Sequence, residues 1–272
     1  MRTILKRGAG AALASALAVS LVGLTGSASA DAVSSARGAA FGLELVGPVG
    51  LEPQPAVEAV FPAGPETAED ALLEVPADPA VNSATLAVRA DAAQQSTIEP
   101  TLQAVIEGQF SGAPATWNAR GYAITEDLAA VSNTITADVI ESESTAACID
   151  GDIVYGSAAR IVNLGVGGTN VPVINPTPNQ VVFNQLGIQI IFWQTNWDPS
   201  TGGLTDDGES VFTNALRITA PGGIDLTVSH SEASATCAGR QPQPPDPDEP
   251  DEPDVPEAPP ADPVPGQPTF TG

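Results

Sequence analysis

Lysine is nearly missing from this chain. One, Lys6, stands among 272 residues, and only nine cationic residues in all face 33 aspartates and glutamates, for a formal net charge of −24. A surface of that sign repels phosphates and anionic headgroups, because both are bound through clustered Lys and Arg. Nucleic acid and peripheral membrane binding are therefore not expected, whereas cations, neutral sugars and proteins remain open as partners. Histidine is as scarce, with His230 alone. A Ser-His-Asp hydrolase needs that residue beside a nucleophile, and no GxSxG elbow is present. Acid pairs such as Glu126-Asp127 and Asp206-Asp207 are neighbours in sequence, which says nothing of two carboxyls facing each other across a cleft as glycoside hydrolysis requires. The two cysteines, Cys148 and Cys237, with one histidine fall short of the usual structural zinc sets.

Long apolar runs are missing too, except near the start. Arg2, Lys6 and Arg7 precede an Ala-rich apolar stretch from Ala9 to Leu24, and "ASA", Ala28 to Ala30, closes it. A basic start, a short apolar middle and small residues at a cleavage point make up a secretory signal, with cleavage expected after Ala30. The alternative, a retained anchor, is disfavoured because a bilayer needs ~20 uninterrupted apolar residues. All 33 acids lie beyond residue 30, so export leaves six arginines against them. No transmembrane segment is expected in the mature chain. In an oxidising space an even count of isolated cysteines predicts a disulfide, here Cys148 to Cys237. Two separate buried thiols are the alternative.

What is present in quantity is proline, glycine and period-two patterning. Residues 239–272 hold 12 prolines and 8 acids with one aromatic. Such a composition cannot build a core, and a disordered acidic, proline-rich tail is expected. Residues 47–79 are interrupted by prolines as well, which predicts a long loop with at most an edge strand and a helical turn. Between these stretches, Phe41, Leu43 and Leu45 alternate with Ala40, Gly42 and Glu44, and Leu86 and Val88 alternate with Ala87 and Arg89. Ala159 to Ile174 reads as two strands around a Gly167-Gly168 turn. Val181 to Trp197 is the strongest strand run, and its expected partner is Ser210 to Ala220. A Pro221-Gly222-Gly223 turn then leads to a last strand, Ile224 to Cys237. The helical candidate is Tyr122 to Thr134, although its β-branched residues leave the assignment ambiguous. These patterns predict one all-β domain over 31–238, an antiparallel β-sandwich.

The segments "AAFGLELVGPVGLEPQP", "ITADVIESESTAAC", "GSAARIVNLGVGGTNVPV", "PTPNQVVFNQLGIQII" and "SVFTNALRITAPGGIDLTVSHSEASATC" occur in an order that resembles the choice-of-anchor P family, exported surface proteins of high-GC Gram-positive bacteria. The similarity spans Ala39 to Cys237. It implies an exported β-rich domain with a variable C-terminus and supplies no active-site residues. The ending "QPTFTG" departs from a sortase signal in lacking a Leu-Pro pair, so free secretion or non-covalent association with the cell wall is expected over covalent attachment.

Two candidate sites remain. In "NWDPSTGGLTDDGES", counting Asp198 as position one puts Asp206 at nine and Glu209 at twelve of an EF-hand scheme, but Gly202 occupies position five, where a ligating side chain belongs. A looser calcium site from Asp198, Asp206, Asp207 and Glu209 is one reading; a solvated hairpin loop is the preferred one. Trp193 and Trp197 share strand parity near that loop and could hold a sugar, against the commoner role of core packing. His230 shares parity with Ile224, Leu226 and Val228, which predicts a packed or edge histidine. The function expected is a non-catalytic structural or interaction protein, its partners proteins or cell-envelope glycans. A calcium-assisted carbohydrate-binding module is the first alternative and a secreted hydrolase the second.

Overall fold

A computed structural model describes residues 32–47, 50–72 and 81–238; the expected signal segment and the acidic tail lie outside them. The strands are β1 (Val33–Val46), β2 (Leu51–Phe61), β3 (Thr67–Leu72), β4 (Val81–Asn82) and β5 (Thr85–Ala92), followed by the short helix α1 (Gln103–Gln109). Then come β6 (Ala119–Ala130), β7 (Ile135–Ile149), β8 (Asp152–Val162), β9 (Gly165–Val166), β10 (Thr169–Asn170), β11 (Gln180–Gln185) and β12 (Ile188–Thr195). The last are β13 (Trp197–Asp198), β14 (Gly203–Leu204), β15 (Val211–Ala220) and β16 (Ile224–Cys237). One six-stranded sheet runs β11-β12-β15-β16-β1-β2, and an eight-stranded sheet runs β10-β9-β7-β6-β5-β3 with β4 beside β6 and β8 beside β7. All ladders are antiparallel, and the two sheets pack as the expected sandwich.

Three expectations need correction. The proline-bearing segment 47–79 is not a loop in its described part: it supplies β2 and β3, each on a sheet margin. Pro53 and Pro55 lie on β2, where a strand's outer side has no ladder partner to lose, so the rule that excludes proline from central strands still holds. Tyr122 to Thr134 is strand β6 and its turn, not a helix. Its small residues Ala119, Gly121 and Ala123 alternate with Arg120, Tyr122 and Ile124, a period of two that β-branched neighbours reinforce. Val181 to Trp197 is not one strand. It folds back at Leu186-Gly187, both with positive φ (56° and 77°), into the β11–β12 hairpin. Two consecutive left-handed residues are what a two-residue hairpin turn matched to strand twist demands.

Other expectations stand. β12 pairs β15 with Ile190 opposite Ile218, and β15 turns through 221–223 into β16. Parity, however, breaks at bulges. Ser229 takes a positive φ of 51°, so Val228 and Ser229 are both buried and His230 turns to the outer face, away from Leu226. Phe41 opposite it faces outward as well, not inward with Leu43 and Leu45.

Between the sheets the spacing is set by small side chains. A Cβ on Gly121 would stand 2.0 Å from the Ala39 carbonyl oxygen, and one on Gly38 would stand 2.1 Å from that of Arg120. Hydroxyls fill part of the gap. Thr213 Oγ1 hydrogen-bonds with Ser144 Oγ (2.8 Å) and Ser157 Oγ (2.7 Å), and Thr125 Oγ1 with Ser229 Oγ (2.8 Å). Each pair joins one sheet to the other and satisfies groups that burial would otherwise penalise. Cys148 and Cys237 are bonded, as expected, with Cα atoms 5.5 Å apart, tying the end of β7 to the end of β16 across the sandwich. Closing a loop of that length contributes at most ~4–5 kcal/mol through the unfolded chain.

Candidate cleft on the outer face of the eight-stranded sheet

Strand alternation places the functional groups. With Ala90, Ala119 and Ala123 turned inward, the odd residues of β5 and the even residues of β6 point out. Register then builds rows across the sheet. Thr67, Asp91, Arg120 and Thr145 form one; Glu69, Arg89, Tyr122 and Glu143 the next; Ala71, Ala87, Ile124, Glu141 and Arg160 the third. Residues 93–118, including α1, lie over β7 and β8 and stop short of β3 and β5. The uncovered part is a cleft of about 1000 Å³ with Glu69, Arg89, Asp91, Glu99, Arg120 and Tyr122 among its lining residues.

Asp91 is the organising carboxylate. It accepts from Arg89 Nε (2.9 Å to Oδ2), from Thr67 Oγ1 (3.0 Å) and from Arg120 Nη2 (2.8 Å). Arg89 also reaches Glu69 at 2.7 Å, and Arg120 donates to the Glu99 carbonyl at 3.1 Å. Arg120 is 6% exposed, and its Nε has no partner among the described residues.

Behind the wall stand Glu141 and Glu143, 2% and 0% exposed. Glu143 accepts from the Thr101 amide (2.9 Å) and the Leu102 amide, fixing the turn that leads into α1, and Arg120 Nη1 lies 3.7 Å away. Burial pushes its carboxyl up to about 7, against the lowering by those two amides and Arg120. Glu141 takes the Tyr122 hydroxyl (2.7 Å) and the Arg160 guanidinium. Burial, then the bond to Glu141, raises the Tyr122 phenol.

The sequence-predicted sites are elsewhere and are not assembled. Asp198 accepts from the Ser200 amide and hydroxyl and from Thr201, and Asp206 from Asn196 Nδ2 and the Gly208 amide. These are local turn contacts. Among the described residues no group of three His, Cys, Asp or Glu could hold a metal ion, so Asp198, Asp206, Asp207 and Glu209 do not converge on calcium. The loop is not simply solvated either. Asn196 holds it through Phe212 N (3.0 Å) and the Ser210 carbonyl (2.9 Å), and Tyr155 N donates to Gly202 O (2.8 Å).

Trp193 and Trp197 offer no face to a sugar, since they are 0% and 1% exposed and stack on one another with centroids 6.3 Å apart. Trp193 Nε1 donates to Ser157 Oγ at 2.8 Å, while Phe110 meets the edge of Trp197. His230 is packed, as expected, though on the outer face: it stacks on Phe41 at 4.4 Å and approaches Asn214 Oδ1 at 2.6 Å. Burial lowers it to about 4, with Glu232 opposing and Arg37 assisting.

Sequence reasoning missed Arg89, Asp91, Arg120 and Glu143. Their one signal was charged residues alternating with small ones, alanine or glycine on β5 and β6 and serine on β7, which reads as solvated surface until residues 93–118 are folded beside it. No family model, no curated protein and no solved structure matches the chain.

Proposed function

We propose that the protein is an exported, non-catalytic binding module, and that its cleft takes a neutral hydroxylated ligand, a segment of cell-envelope glycan. The observation that carries this reading is the fixed Arg89–Asp91–Arg120 array. Each group is held by its neighbours and offers planar donors and acceptors whose geometry is set before a ligand arrives. The volume suits an occupant at the upper end of small-molecule sites. Four lining carboxylates, from Glu69, Asp70, Asp91 and Glu99, against two guanidiniums disfavour an anion. Glu141 and Glu143 are buried beneath the wall, and the amides of Thr101 and Leu102 occupy Glu143. That favours binding over acid–base chemistry. Export is supported by the basic and apolar pattern of residues 1–30 and by the family resemblance.

Calorimetric or NMR titration with chitohexaose, cellohexaose and mannohexaose tests the reading. Binding to one of them is expected, weakened about tenfold by Arg89→Ala through loss of charge-assisted hydrogen bonds. Binding to none, or binding indifferent to Arg89→Ala, refutes the site. Release of reducing ends refutes the non-catalytic part.

A further inference from the structure

Edge strands invite pairing with other chains, and proteins guard them with prolines, charges or cover. On this sandwich β2 carries Pro53, Pro55, Glu52 and Glu58; β3 carries Glu69 and Asp70; β8 carries Asp152 and Arg160. β11 ends the six-stranded sheet on its other side, and its sequence, Gln-Val-Val-Phe-Asn-Gln, holds neither proline nor charge. The exception is not local. From Ile161 to Trp197 there is no Asp, Glu, Lys, Arg or His, in a chain of net charge −24. Ile174, Val181 and Leu186, at 69%, 51% and 91% exposure, fall inside that stretch and are among the few large apolar side chains left open on the described surface.

We propose that β11 is the edge through which two copies of this chain pair, antiparallel and about a two-fold axis, joining their six-stranded sheets into one. The charge distribution selects this occupant. Two like copies of an acidic protein repel wherever carboxylates meet, and the uncharged stretch is where they approach without that repulsion. A basic partner would be drawn to the acidic surface instead. A two-fold β11 pair uses both free edges at once and closes, and the register shift between Val181 and Phe183 adds twist that opposes a flat, growing ribbon. The proposal is independent of the cleft, which opens on the other sheet.

Analytical ultracentrifugation from micromolar to submillimolar protein, with hydrogen exchange at both ends of the range, is the test. The expected result is a mass that doubles with concentration while amides of 180–185 become protected. Val181→Lys, on a side chain already half exposed, should abolish both at unchanged Tm; Asn184→Lys serves if that variant does not fold. A wild type that stays monomeric overturns the proposal. So do a dimer that survives the lysine, protection confined to other strands, or open-ended assembly.

Discussion

The two sides of this sandwich are built on opposite packing principles. Around Gly38 and Gly121 the sheets approach until backbone meets backbone, and the contact surface is alanine, glycine and hydroxyls. Toward β8 and β12 large rings take over: Trp193 reaches Ser157, Trp197 stacks on Trp193 and Phe192 meets its edge, all 1% exposed or less. The narrow side owes its stability to close approach and satisfied hydroxyls, the broad side to large apolar volume. The first tolerates no added atom, and the second tolerates no lost one.

The comparison is broken most severely on the narrow side. Gly121→Ala puts a methyl carbon 2.0 Å from the Ala39 oxygen and 2.7 Å from that of Glu232, both backbone atoms. Urea denaturation should show a loss above ~4 kcal/mol, or no folded protein. The same substitution at Gly108, in α1 with nothing within 4 Å of the new carbon, should be neutral or gain up to ~1 kcal/mol. Equal effects at the two sites would sink the idea of backbone contact.

On the broad side, Trp193→Ala should cost about 3–5 kcal/mol. Phenylalanine separates volume from hydrogen bonding. Trp193→Phe strands a Ser157 contact, whereas Trp197 Nε1 has no partner among the described residues. Trp193→Phe should therefore exceed Trp197→Phe by ~1 kcal/mol in the same denaturation experiment; the reverse order would show that packing alone matters there.

In the wild type the smallest effect is a pH dependence to which two groups contribute with opposite sign. His230, outside the narrow side, is held down to about 4, so the unfolded chain binds the extra proton below 6.5 and stability falls as pH falls from 6.5 toward 4. Glu143, under the wall, is held up near 7 from 4.5, so the folded chain binds the extra proton and stability falls as pH rises from 4.5 through 7. Around the His230 ring stand Phe41, Phe212, Asn214, Glu232 and Arg37. Between 4.5 and 6.5 the slopes oppose. Glu143→Gln should expose a rise of Tm with pH and His230→Gln a fall, each spanning ~1–2 kcal/mol. Parallel profiles for the two variants would count against both assignments.

Much of the fold was legible because alternation needs only neighbours. The β12–β15–β16 meander followed from apolar parity and the Pro221-Gly222-Gly223 turn, and the Cys148–Cys237 bridge from an even cysteine count in a chain expected to be exported. Misreadings arose where one backbone torsion resets parity. The positive φ at Ser229 turned His230 outward, whereas the break at Trp193 (φ 55°), which lets Phe192 and Trp193 both be buried, was signalled by apolar residues on both parities from Ile190 to Trp193. The acids of 198–209 looked like a site because sequence spacing cannot distinguish convergence from turn capping. The cleft was illegible for a different reason. Arg89 and Arg120 are ordinary strand charges until register sets Asp91 opposite Arg120, across strands 29 positions apart in the chain.

By itself the sequence determined an acidic, strand-rich chain without clustered cations, because charge and period-two patterning depend only on composition and immediate neighbours. Tertiary structure decided which tryptophans are core, which acids are paired, where the sheets touch and which face is open. Those outcomes depend on register, bulges and the path of residues 93–118, and each is fixed by contacts between segments that the linear order keeps far apart.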